Sequence, residues 1–380
     1  MSSSPNIAEQ TARLEDAAAA LMRINRAAPH GPHHEAMRIL VTGGSGFLGI
    51  NLVRTLLEGN ADVRTLDIAP FDYPEHHSVD AIVGDVRDAA AVERAFEGVD
   101  HVVHCAAALP LAPSRDILST GIDGTRVLLE AVGRHGVSRF VFVSSTAVYG
   151  IPDHHPLLED DALRGVGPYG EAKIAAERLC AEHRAKGACV PVLRPKTFVG
   201  PERLGVFEML YEWAYEGRAF PVLGRGDNLY QLLDVSDLCR VIERCLALEP
   251  LRVNDTFNVG AKEFGTMRDN VQVVLDRAGH GRKAVPIPAT PAILALRALH
   301  AMGLSPLYEW IYETAAQESW VSIERLEAKL GFTPQHSNRS ALVANYDWYA
   351  AHRDEYRGRS GTTHRTPWKK GLLECAKLFF

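Results

Sequence analysis

From Arg38 onward the chain alternates between two hydrophobic rhythms. Short, nearly continuous apolar runs occur at Arg38–Thr42, Val63–Asp67, Ala81–Val83, His101–Cys105, Arg139–Ser144 and Cys189–Leu193. Between them, over Phe47–Leu57, Ala90–Phe96, Gly124–Arg134 and Tyr169–His183, apolar residues recur at helical spacing. A run apolar at every position suits a strand buried on both faces, whereas helical spacing marks a single buried stripe. Their alternation predicts an α/β protein: a doubly wound parallel sheet, covered on both sides, with right-handed crossovers. After about residue 195 the rhythm loosens into helices joined by Pro- and Gly-rich loops. That change predicts a smaller, mixed lobe over 196–355, interleaved with a first domain over 37–195. No internal repeat is visible.

The two ends read differently. Residues 1–36 run from Ser2–Ser4 through an Ala-rich stretch with Glu9, Glu15 and Asp16 to the Gly- and His-rich segment Pro29–Glu35. The early acids argue against a signal peptide, so this part is expected to be a flexible extension. Residues 356–380 form a basic amphipathic tail, with Trp368, Leu372, Leu373, Leu378, Phe379 and Phe380 beside Lys369, Lys370 and Lys377. Such a tail can lie on a membrane surface or dock onto its own domain or a partner subunit.

Composition narrows the class. At 46% hydrophobic and 23% charged, the 380 residues are neither disordered nor a fibrous or disulfide-built scaffold. With 41 basic and 47 acidic side chains, the net charge of −6 gives no electrostatic reason to expect nucleic acid. The six cysteines, at 105, 180, 189, 239, 245 and 375, include no CxxC pair. A reducing, cytoplasmic setting and no metal site are therefore expected. No apolar run reaches the roughly 18 residues of a membrane span.

The segment Ile39–Gly49 carries the first chemistry. A strand runs into Gly43, Gly46 and Gly49 and a helix follows at once. The first glycine permits a tight turn, the second lets a pyrophosphate approach the backbone, and the third lets helix pack on strand. This is a Rossmann dinucleotide turn, with Gly43, Ser45, Gly46, Phe47, Leu48 and Gly49 as expected cofactor-binding residues. Asp67 ends the next strand, where an acid bonds the adenosine ribose and repels a 2′-phosphate, so NAD is expected over NADP. Asp85 and Val86, after the third strand, sit where an adenine edge could be held; a plain helix cap at Asp85 is the alternative.

Ser144 and Ser145 end the fifth strand, and Tyr169 and Lys173 follow one helical turn apart, on a shared face. A free phenol, with a pKa of about 10, is too weak a base at neutral pH. A neighbouring ammonium and an oxidised nicotinamide favour the phenolate. Tyr169 is thus the expected proton acceptor from a substrate hydroxyl, with Lys173 beside the nicotinamide ribose and Ser145 holding the reacting oxygen.

These residues, with His104–Ala107, Ser144–Gly150 and Leu193–Pro195, resemble the extended short-chain dehydrogenase/reductases of the NAD-dependent epimerase/dehydratase group over about residues 37–350. The resemblance implies that Ala106 and Ala107 line the cofactor, that Pro195 flanks the nicotinamide, and that Ser145 is the catalytic hydroxyl. Ala147–Gly150 leans toward the group's sugar-nucleotide enzymes, yet several positions depart from them. The dehydratases' Asp-Glu pair is replaced by Thr146 and Ala147. Thr197 and Tyr230 stand where sugar-nucleotide enzymes usually place Asn and Arg for the diphosphate. Gly121 replaces another frequent Asn, and the loop Leu109–Arg115 is mostly apolar. Lys196, Arg203 and Arg225 remain as cations, either near the substrate or on solvated surface.

The apolar stretch Pro291–Leu304 is either core or the wall of a lipid-like site. Together these features favour oxidation of a secondary alcohol, the 3-hydroxyl of a sterol-like substrate as in the group's 3β-hydroxysteroid branch. A 4-carboxysterol is one such substrate, oxidation giving a β-keto acid that decarboxylates readily. A nucleotide-sugar 4-epimerase is the alternative. The expected partners are a hydrophobic small molecule and a second copy of the chain, with peripheral membrane contact through the tail.

Overall fold

Seven strands make the central sheet: Arg38–Thr42 (β1), Asp62–Asp67 (β2), Val79–Val83 (β3), His101–His104 (β4), Arg139–Val143 (β5), Val192–Pro195 (β6) and Thr256–Val259 (β7). All pair in parallel, in the order β7-β6-β5-β4-β1-β2-β3. The order reverses beside β1, which places a crevice at the carboxyl ends of β1 and β4. The computed structural model describes residues 37–110, 112–302, 312, 314–356, 377 and 380. The extension expected over 1–36 and most of the tail lie outside these.

Successive strand side chains point to opposite faces, and the sheet separates two cores accordingly. On one face Ile39, Val41, Val103, Val141 and Leu193 pack against Phe47–Glu58 (α1) and, later in the chain, Val235–Ala247. On the other Leu40, Leu66, Val102, Phe140 and Phe142 meet Ala89–Phe96 (α2), Thr125–His135 (α3) and Gly167–Ala185 (α4). Burying each such side chain is worth about 1.5–3 kcal/mol, which holds helices against both faces.

Three strands differ from the sequence expectation, and β3 does so by beginning at Val79, two residues before Ala81. The sixth runs two to three residues later than Cys189–Leu193, because pairing with β7 carries its ladder to Pro195. β7 itself was not expected. It is short and includes a buried polar residue, Asn258, which is fully partnered: its N–H donates to Glu159, its amide to the Leu157 carbonyl, and its Oδ1 accepts from Tyr149.

The second lobe is built from Val206–Tyr215 (α5), Met267–Ala278 (α6) and Asn338–Tyr356 (α7), packed around Tyr211, Val274 and Leu342. Phe220–Leu223 and Ala284–Ile287 form a small parallel pair at its edge. Ala289–Ala301 (α8) covers most of the apolar stretch singled out in the sequence. None of its residues with described side chains is buried, and Leu294 is 57% exposed, so this is not a core helix. Among the described residues no helix is long and apolar enough to cross a membrane.

Candidate active site

The site begins where β1 turns into α1. Gly43 adopts φ +74°, and a Cβ there would lie 2.8 Å from the Ala106 backbone. A Cβ on Gly49 would lie 2.1 Å from the Gly43 carbonyl oxygen. Both positions therefore exclude any side chain, and the turn leaves a cradle of bare backbone facing the crevice. Asp67 folds over this turn: its carboxylate accepts from the N–H groups of Ser45 at 3.0 Å and Ala69 at 2.9 Å. Burial raises its pKa above the ordinary carboxylate value, while those N–H groups pull it down. Asp85 lines the same crevice, but Arg87 clamps its carboxylate through Nε and Nη2, which hold its pKa low. Val86 is buried below it, against Gly124.

The second half of the site hangs from β5. Ser145 caps a turn of 3₁₀ helix, its Oγ accepting from the Ala147 N–H at 3.1 Å. Ser144 turns away and donates to Glu177 at 2.5 Å. Glu177 is in turn gripped by Arg194, with Nη2 to Oε2 at 2.6 Å, and both are nearly buried. Arg194 also donates to the Tyr149 hydroxyl and the Glu159 carbonyl, so this polar network ties α4 to β6 just before Pro195.

On α4, Tyr169 and Lys173 share a face, and the Lys173 Nζ lies 5.9 Å from the Tyr169 ring centroid. Lys173 donates to the Val143 carbonyl at 2.7 Å, and burial lowers its pKa to about 8. Burial raises the Tyr169 phenol, against a hydrogen bond with Ser145 and the charge of Arg203, both of which lower it. Two cations thus lie near the phenol: Arg203, whose charge lowers its pKa, and Lys173 on the shared helix face. Arg203 is buried among Phe47, Phe198 and Phe207, with its guanidinium carbon 5.3–5.9 Å from the three ring centroids.

The glycine turn, Asp67, Asp85, Ser145, Tyr169, Lys173 and Arg203 all line one cavity of about 1570 Å³. Ala106, Ala107 and Pro195 line its cofactor half. Beyond Tyr169 its walls are Leu109, Pro110 and Ala112 from the loop after β4, and Phe207, Leu296 and Leu299 from the second lobe. The expected substrate-contact positions divide here. Thr197 and Tyr230 line the cavity, as do Lys196 and Arg203; Arg225 is 85% exposed and paired with Asp227. Gly121 is a packing position, since a Cβ there would sit 2.9 Å from the Ala172 Cβ. At the chain's end Phe380 reaches the cavity wall beside Trp213, and Lys377 pairs with Glu212 at 2.9 Å, so these two tail residues dock on α5.

Residues 39–260 match the NAD dependent epimerase/dehydratase family. The chain belongs to that family. Its cofactor is NAD, and the bare glycine cradle with Asp67 above it fits such a dinucleotide. Among relatives, the protein y4nG of Sinorhizobium fredii is 35% identical over 336 residues, 88% of this chain and 84% of that one. A dTDP-glucose 4,6-dehydratase of Streptomyces niveus is 29% identical, covering 83% of this chain and 94% of its own. A 3 beta-hydroxysteroid dehydrogenase/Delta 5-->4-isomerase of Mycobacterium tuberculosis is 33% identical over 213 residues, 52% of this chain and 57% of its own. In three dimensions the Bordetella bronchiseptica enzyme WbmG, solved in complex with NAD, superposes with a TM-score of 0.67 at 25% identity, over 84% of this chain and 96% of that one.

Proposed function

We propose that this family member is an NAD-dependent dehydrogenase that oxidises a secondary alcohol on a largely apolar, sterol- or isoprenoid-like substrate. The observation that carries this reading is the apolar wall beyond Tyr169. Leu109, Pro110, Phe207, Leu296 and Leu299 offer a hydrophobic ring system burial, and few donors for a sugar. The partial match to the 3 beta-hydroxysteroid enzyme supports the same reading.

Gly43, Ser45, Gly46, Phe47, Leu48 and Gly49 would hold the pyrophosphate, Asp67 the adenosine ribose, Asp85 and Val86 the adenine, and Ala106, Ala107 and Pro195 the nicotinamide end. Bound NAD supplies the hydride acceptor. Ser145, anchored at its cap, holds the alcohol oxygen against Tyr169. Tyr169 accepts the hydroxyl proton as hydride leaves the same carbon. Its pKa must fall for this; Arg203 and Lys173 stabilise the phenolate, and an oxidised nicotinamide bound beside it would add positive charge to theirs. Lys173, tied to Val143, would hold the nicotinamide ribose with its ammonium. Thr146 and Ala147 supply neither acid nor base after Ser145, so elimination of water has no catalyst here.

A second reading, a nucleotide-sugar 4-epimerase, is supported by Lys196 and Arg203 in the cavity. It is weakened by Thr197 and Tyr230, which carry no charge for a diphosphate. Incubating the purified protein with NAD and a panel of 3-hydroxysterols and UDP-sugars separates the two. A dehydrogenase needs added NAD and accumulates reduced nicotinamide with a sterol alcohol. Interconversion of UDP-sugars without added cofactor would reverse the preference.

A further inference from the structure

Lys196 is a charged group in the cavity that the reaction above does not use. It follows Pro195 at the carboxyl end of the sheet, where its backbone N–H donates to the Val259 carbonyl at 2.8 Å. The residue is nearly buried, at 4% exposure, yet it lines the cavity. The Nζ donates to Ser319 Oγ at 2.5 Å and lies 5.6 Å from the centroid of the Tyr230 ring. Among the described residues no carboxylate comes within 4.0 Å of it. Burial, with no opposing charge, lowers its pKa to about 7.

The surroundings are built rather than loose. Ser319 donates its N–H to the Leu229 carbonyl at 2.9 Å and its carbonyl accepts from the Gln231 N–H at 3.0 Å, so its backbone is fixed beside Tyr230. The Tyr230 hydroxyl is engaged by the Thr197 side chain. A hydrophobic cavity wall needing only bulk at position 196 would be served by Met or Leu. A buried ammonium without a counter-ion is costly, and the cost is recovered when a ligand brings the missing negative charge. An ammonium has three N–H donors; one serves Ser319, and the others are available to an acceptor entering the cavity. One unit of charge with two donors matches a carboxylate.

We propose that Lys196, oriented by Ser319, anchors a carboxylate borne by the substrate, so that the alcohol oxidised here is an apolar hydroxy acid. This rests on the reading of the cavity as a site for an apolar alcohol. The anchor sets which alcohols are accepted and the orientation in which they meet Tyr169.

The test compares 3-hydroxysteroid carboxylic acids, with the acid on ring A or on the side chain, with their methyl esters. Binding to the full chain saturated with NADH is read by quenching of tryptophan fluorescence; turnover with NAD is read separately. The parent protein should bind at least one acid roughly tenfold or more tighter than its ester, the scale of a charge-assisted hydrogen bond. Lys196→Met should bind acid and ester alike, and Ser319→Ala should retain part of the preference. Should Lys196→Met not fold, Lys196→Gln reads the same difference. Equal affinities in the parent, an acid preference that survives in the variant, or binding of neither probe overturns the anchor. Oxidation of acid and ester at equal rates would overturn the anchor and leave the dehydrogenase reading standing. A Lys196-dependent acid preference without oxidation would leave the anchor and overturn the dehydrogenase.

Discussion

Lys173 reaches from α4 to donate to the Val143 carbonyl at 2.7 Å, the last residue of β5. The next residues in the chain are Ser144 and Ser145, so this bond locks the helix bearing Tyr169 and Lys173 to the turn bearing the serine hydroxyl. A side chain in the middle of a long helix thus sets the distance between the expected base and the group that holds its substrate.

Tyr169→Phe should lower turnover by roughly 100-fold or more while NAD still binds, because positioned proton transfer contributes about 10²–10⁴. Ring and packing are retained, so the melting temperature should hardly move. Steady-state kinetics alongside NAD titration checks this; near-normal turnover would remove Tyr169 from the role of base.

Asp67 should make NAD preferred over NADP. Its carboxylate is held over the glycine turn by the Ser45 and Ala69 N–H groups, where a 2′-phosphate would meet like charge. Asp67→Ala should narrow the ratio of kcat/KM for the two cofactors. A parent protein that uses both equally would refute the assignment.

Gly49→Ala introduces a Cβ into a gap that the Gly43 carbonyl already fills. Overpacking of this kind costs typically about 1–3 kcal/mol, and here it must also push the turn out of shape. Denaturant unfolding should report the loss, and NAD affinity should fall with it. Unchanged stability and affinity would show that helix and strand have slack at this crossing.

His104 gives a pH dependence with a definite sign. Its ring is buried between the Thr42 and Thr125 hydroxyls, at 2.8 and 3.1 Å, and burial lowers its pKa from 6.5 to about 3. As pH falls from 6.5 toward 3, the unfolded chain takes up a proton that the folded chain refuses. Stability should therefore fall across that window, with no contribution from His104 above it. Unfolding free energies measured against pH for the parent and His104→Gln should show a shallower acid decline in the variant. Parallel curves would exclude His104 as a source of the acid sensitivity.

The alternation of strands and helices, the glycine turn and the Tyr169/Lys173 spacing were legible in the sequence because each is set within a few neighbouring residues. Periodicity reports which faces are buried, and a dinucleotide turn is short enough to read as one piece. Pairing across the sheet is another matter. β7 is not legible along the chain because its signal is a short segment carrying Asn258, whose partners Tyr149, Leu157 and Glu159 lie about a hundred residues earlier.

The fate of individual polar residues was settled by tertiary contacts. Lys196, Arg203 and Arg225 look alike along the chain, yet folding buries the first two beside the cavity and leaves Arg225 in water. The apolar run of α8 satisfies the requirements of a core helix, but the packing of the second lobe makes it a cavity wall instead. Gly121, which in sequence marks the loss of a polar contact, is a point where Ala172 approaches too closely for any side chain. Local sequence thus dictated the fold class, the cofactor turn and the candidate reacting groups, because those depend on backbone conformation and helical spacing. Which cations face the substrate depends on desolvation by residues distant in sequence, and only the assembled lobe decides that.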